Sequence, residues 1–94
     1  MPIVTLRDVL PIAQAKGCAV GSFNAADFSM ADAILETCIK ENVPVILSLA
    51  EVHYRYFDLA DFLSYLRTKA ARLSIPVVLH LDHGTSLSVI KEGF

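Results

Sequence analysis

Three short apolar runs, spaced about 28–32 residues apart, constrain this chain more than any other feature. They are Cys18 to Phe23, Val45 to Leu49 and Val77 to Leu81. Each has the length and aliphatic content of a strand buried on both faces. Such strands belong to parallel sheets, and their spacing matches one βαβ step. The intervening segments read as the crossover helices. Ala31, Ile34, Leu35, Cys38 and Ile39 recur at helical spacing, with Asp27 or Ser29 as cap and Asn42-Val43-Pro44 as stop. Asp58 caps a second helix through Arg72, with Leu59, Phe62, Leu63, Leu66 and Ala70 on its buried side. Before the first strand, Thr5 caps a short helix carrying Leu6, Val9, Leu10 and Ala13, interrupted near Pro11 and closed at Lys16-Gly17. His53 to Tyr56 reads as a loop or a turn of helix. A last helix, Leu87 to Glu92, is capped by Ser86 and stopped by Gly93.

This order is α/β, and two architectures repeat its unit: the eight-stranded barrel and the doubly wound sheet. The first strand-to-helix turn, Phe23-Asn24-Ala25-Ala26-Asp27, lacks GxGxxG, which argues against a dinucleotide fold. There is no P-loop either. A complete TIM (β/α)8 barrel needs roughly 250 residues, so 94 residues supply its first three to four β/α units. Residues 1–94 are therefore expected to be the N-terminal part of a single barrel domain, with a fourth strand due after Phe94. A free-standing mini-protein would leave the apolar third strand with an unprotected edge.

Composition narrows the partners. A chain that is 54% apolar and 19% charged is not disordered, and a net charge of −2 gives no pull towards nucleic acid or an anionic membrane. No apolar stretch approaches a membrane span, and Met1 to Asp8 lacks the layout of a signal peptide. Cys18 and Cys38, with no CxxC spacing, read as buried free thiols of a cytoplasmic protein.

The chemistry gathers at one place. Ile75-Pro76-Val77-Val78-Leu79-His80-Leu81-Asp82-His83-Gly84 is an apolar strand that ends in an acid, an imidazole and a glycine. The carboxyl end of a parallel strand is where such folds bind ligands and react them. Polar groups crowded there are costly unless paired or open to a cleft. Alternation puts His80 and Asp82 on one face and turns His83 to the other, and Gly84 is expected to free the backbone to re-aim it. By its own chemistry Asp82 is either an acid/base or a loop-stapling acid. His83 is a metal ligand or a plain surface imidazole, and Asn24 is a turn former.

Several segments together resemble the class II ketose-bisphosphate aldolases, the zinc-dependent fructose- and tagatose-bisphosphate enzymes. They are Ala19-Val20-Gly21-Ser22-Phe23-Asn24, Ala33-Ile34-Leu35-Glu36, Pro44-Val45-Ile46-Leu47 and the run from Ile75 to Gly84. The resemblance covers nearly the whole chain, and its last segment is the specific one. It implies a (β/α)8 barrel that reversibly cleaves a ketose 1,6-bisphosphate to dihydroxyacetone phosphate and glyceraldehyde 3-phosphate. It further implies Asp82 as the acid/base at the C4 hydroxyl, His83 as the first Zn²⁺ ligand and Asn24 as a substrate contact. The other zinc histidines and the phosphate-binding glycine-serine segments would lie beyond Phe94. The implied assembly is a homodimer or homotetramer. Retro-aldol cleavage leaves negative charge on an enediolate, which a divalent ion held by imidazoles can absorb while a carboxylate moves the hydroxyl proton.

Two positions depart from the family pattern: Ala50 stands where many relatives place Ser or Thr, and Asp27 where Asn is frequent. They leave room for a non-catalytic barrel subunit of a sugar-phosphate enzyme. A third reading is another barrel lyase, using Asp82 on a different phosphorylated substrate with a different metal. Elsewhere, His80 reads as a hydrogen-bonded core histidine, and His53 with Tyr54 and Tyr56 as aromatic packing. Glu51 either lines the site or faces water, and Arg67, Lys69 and Arg72 read as a solvated helix face.

Overall fold

Three parallel strands form one sheet in the order β1-β2-β3, with β1 at Ser22–Asn24, β2 at Val45–Ala50 and β3 at Val77–Asp82. The computed structural model describes residues 3–84 and Leu87. Helix α1 (Leu6–Lys16) precedes the sheet, α2 (Phe28–Glu41) links β1 to β2, and α3 (Leu59–Ala70) links β2 to β3. A short 3-10 helix, Glu51–Tyr56, follows β2 directly. The helix expected at Leu87 to Glu92, with its Ser86 cap and Gly93 stop, lies outside the described residues, Leu87 apart.

Local chemistry sets the boundaries. The Asp27 carboxylate accepts from the Met30 N–H at 2.8 Å and opens α2, and Asp58 does the same for the Asp61 N–H at 3.0 Å in α3. At the start of α1 the Asp8 carboxylate accepts from both the N–H and the hydroxyl of Thr5, at 2.9 and 3.0 Å. Those bonds, the backbone one first, hold the Asp8 carboxyl below its ordinary pKa. Asn42 closes α2 in the left-handed conformation, φ 56°, with its N–H on the carbonyls of Cys38 and Ile39.

The core lies between the sheet and the two crossover helices. Val45, Leu47 and Leu49 of β2 and Val77 of β3 meet Ala31, Leu35 and Cys38 of α2 and Phe62, Leu66 and Ala70 of α3. Phe62 is fully buried and meets Phe57 and Phe28 edge-on, with ring centroids 4.3 and 4.9 Å apart. Outside this core, Asp32 of α2 accepts from Tyr65 (2.7 Å) and from Lys69 (2.6 Å) of α3. The Lys69 contact, then the Tyr65 one, lowers the Asp32 pKa, and the same carboxylate raises those of Lys69 and Tyr65.

Several expectations are corrected here. Helix α1 runs unbroken through Pro11, whose missing N–H falls opposite the exposed Arg7. Strand β1 is only Ser22–Asn24 rather than Cys18 to Phe23, and among the described residues it has a ladder partner, β2, on one side alone. Of the two thiols only Cys38 is buried, which pushes its pKa up, while Cys18 is exposed. Strand β3 is buried at Val77 and Val78 but only half-buried from Leu79 to Asp82. Lys69 does not lie on a simply solvated face, since it is tied to Asp32.

Candidate active site

The parallel register fixes which side chains share the face turned away from the helices. Asn24 lies beside Ser48 and Ser48 beside His80, while Ala50 lies beside Asp82. With Ser22 and Val78 these positions form one alternating set, opposite the aliphatic face. Ser22 and Ser48 prove the shared face directly, for their hydroxyl oxygens are 2.7 Å apart. The period of two along both strands contains this serine pair, although neither serine carries a motif of its own.

At the carboxyl end of β3 the Asp82 carboxylate stands between two imidazoles. Its Oδ1 is 3.8 Å from His80 Nε2 and 3.7 Å from His83 Nε2. Both separations exceed a hydrogen bond, so neither ring consumes the carboxylate's acceptor capacity. Exposure rises outward, with side chains 28% accessible at Asp82, 43% at His80 and 78% at His83. His80 is therefore a half-open neighbour of Asp82, not the hydrogen-bonded core histidine expected.

The turn itself differs from expectation. His83, not Gly84, takes the left-handed conformation, with φ 49°. For a side chain with a Cβ that region costs about 1–2 kcal/mol, and histidine visits it more readily than most. The twist keeps the His83 ring near Asp82 as the strand ends.

Asn24 lies at the carboxyl end of β1 and is exposed. Ala50 is almost fully buried at 3% accessibility and brings only a methyl group beside Asp82. Asp27 is committed to capping α2. Glu51 opens the 3-10 helix at the same rim and is half-buried. Tyr54 packs against the core and donates its hydroxyl to the Leu49 carbonyl at 3.2 Å, as an aromatic packing residue should. A cavity of about 810 Å³ lies elsewhere, between α1 and the last turn of α2, and its wall is largely aliphatic with Cys18 and Cys38 among it. It brings none of the rim residues together.

Among the described residues no group of three or more His, Cys, Asp or Glu side chains is placed to hold a metal ion. A catalytic zinc takes about three protein ligands. The exposed His83 imidazole is of a donor type that suits a zinc ion, a single donor where such a site takes about three.

Residues 4–94 match the family model described as "Fructose-bisphosphate aldolase class-II". The chain belongs to the class II fructose-bisphosphate aldolase family. It is 36% identical over 98 residues to a fructose-bisphosphate aldolase of Staphylococcus aureus (strain Mu50), covering 99% of this chain and 34% of that protein. It is also 36% identical over 101 residues to a probable fructose-bisphosphate aldolase of Bacillus subtilis (strain 168), covering 100% of this chain and 35% of that one. It thus spans about a third of the length of these class II relatives. The crystal structure of the YdjI aldolase from Escherichia coli K12 superposes with a TM-score of 0.88 at 24% identity, covering 96% of this chain and 35% of that chain. The fold is accordingly that of the opening β/α units of a (β/α)8 barrel, as in class II aldolases. No helix among the described residues is long and apolar enough to cross a membrane.

Proposed function

We propose that the protein carrying this chain is a metal-dependent aldolase that reversibly cleaves a ketose 1,6-bisphosphate, fructose or tagatose, to dihydroxyacetone phosphate and glyceraldehyde 3-phosphate. The observation that supports it most is Asp82 flanked by His80 and His83 at the carboxyl rim of β3, in a chain of class II aldolase ancestry. In this reading Asp82 exchanges the proton of the C4 hydroxyl, the step that lets the C3–C4 bond break or form. Its half-buried position keeps one oxygen close to both rings while leaving room for a hydroxyl. His83 is one ligand of a Zn²⁺ ion, with the remaining ligands outside residues 1–94. Zinc, when bound, supplies the positive charge that polarises the substrate carbonyl. Asn24, at the end of β1, contacts the sugar phosphate.

The chain forms the N-terminal part of one barrel domain and has little activity alone, since three strands present one side of a site. The whole enzyme works in the cytoplasm as a homodimer or homotetramer. Its decisive test is zinc content together with cleavage of fructose and tagatose bisphosphates by the full-length protein. Bound zinc with turnover of either sugar is expected. Neither zinc nor turnover would leave the second reading, a non-catalytic barrel subunit, which Ala50 favours by bringing no hydroxyl to the position beside Asp82.

A further inference from the structure

Asp82 is the proposed acid/base, yet its ladder partner Ala50 has no polar side-chain group with which to orient the carboxylate. Where a reacting oxygen must be aimed, a shift of about 1 Å costs about 10²-fold in rate. Two rings stand near the same oxygen, with His80 Nε2 at 3.8 Å and His83 Nε2 at 3.7 Å from Asp82 Oδ1. They are not equivalent. His83 leaves the strand in the left-handed conformation, is largely exposed and is the proposed Zn²⁺ ligand. A ring nitrogen that gives its lone pair to a metal carries no proton to donate. His80 precedes Asp82 by two residues in β3, on the same face of the strand, and its backbone is fixed by the ladder to Ser48. Its half-open imidazole has no part in the reaction as described so far. His53, the third imidazole of the described residues, belongs to the 3-10 helix, and its buried Nδ1, without a hydrogen-bond partner among them, is closed to a ligand.

We propose that His80 is a positioning residue, whose Nε2–H donates to Asp82 Oδ1 when substrate binds and so aims Oδ2 at the C4 hydroxyl. This inference rests on the aldolase reading above. The 3.8 Å separation is about 1 Å longer than a hydrogen bond, and catalytic hydrogen bonds are often long before substrate arrives and close in its complex. An imidazole N–H meeting an anionic oxygen makes a charge-assisted bond, the stronger kind. His80 gains and loses no proton in this role. The C4 hydroxyl proton passes to Oδ2 while the electron pair of the C3–C4 bond stays with the ketone fragment.

The test uses the full-length enzyme and two reactions. One is cleavage of the ketose 1,6-bisphosphate. The other is exchange of a carbon-bound hydrogen of dihydroxyacetone phosphate with deuterium from D2O, followed by proton NMR. That exchange passes through the same enediolate but involves no C4 hydroxyl, so it does not call on Asp82. His80→Leu is expected to lower kcat for cleavage about ten- to hundred-fold while KM and the exchange rate stay near their wild-type values. His80→Gln, whose amide N–H reaches about as far as Nε2, should recover most of the cleavage rate. Equal losses of cleavage and exchange would make His80 a merely structural residue and overturn the proposal. Undiminished cleavage in His80→Leu would overturn it too. A wild-type enzyme that performs neither reaction sinks the aldolase reading and this inference with it. A wild-type enzyme that performs both, with either of those results in His80→Leu, sinks this inference alone.

Discussion

The two faces of this small sheet obey different rules. On one, Val45, Leu47, Leu49 and Val77 pack against α2 and α3 and are essentially inaccessible. On the other, Ser22, Asn24, Ser48, His80 and Asp82 share one alternating set, with Asn24 exposed and His80 and Asp82 half-buried. The first face contributes stability through apolar burial, at about 25 cal/mol per Å². The second gives up that contribution to hold polar groups near one another. The difference teaches that stability and chemistry are divided here by the period of two along each strand.

Perturbations on each face should break or sharpen that division. Asp82→Asn in the full-length enzyme is expected to lower kcat by about 10²–10⁴-fold, the range for a lost acid/base. Its unfolding free energy should move by less than about 0.5 kcal/mol, as for a site that packs little. Steady-state cleavage assays with parallel urea unfolding read both quantities, and equal damage to stability would abolish the contrast. Phe62→Ala is the opposite experiment. It should cost about 3–5 kcal/mol of stability, measured by chemical denaturation, because it removes a fully buried ring from the helix side.

Ser48→Ala tests whether the polar face has any structural share. Losing the 2.7 Å hydroxyl pair with Ser22 should cost about 1 kcal/mol. The smallest effect is expected outside both faces, at Asp32→Asn, about 0.5 kcal/mol for a partly exposed ion pair. Because the folded Asp32 pKa is depressed, its contribution is present above the unfolded carboxylate value of about 3.9 and fades as pH falls through the folded one. The raised Lys69 pKa sets the other limit, the contribution fading as pH rises above about 10.4. Thermal melts of both proteins across that window should diverge at neutral pH and converge at either end.

Much of the fold was legible because burial writes itself into composition. β2, β3 and the two crossover helices appear as apolar text with recognisable caps at Asp27 and Asp58. What stayed hidden depends on neighbours that a local reading lacks. Among the described residues β1 pairs with β2 alone and Cys18 is exposed, and neither fact is written in the local sequence. The tie from Asp32 to Lys69 spans 37 residues and follows no local period. At the candidate site, Asp82 and His83 were visible as polar groups ending an apolar strand. The left-handed backbone at His83 and the orphaned nitrogen of His53 were not, since both arise from three-dimensional constraint.

The N-terminal segment carries a consequence for how this sheet is extended. Ile3 bridges Val77 in parallel, and the Val4 N–H bonds the Val77 carbonyl at 2.9 Å. That outer ladder position is thereby taken, leaving the groups of Leu79 and Leu81 to face the same margin. A newcomer docking there must begin its ladder one rung pair higher.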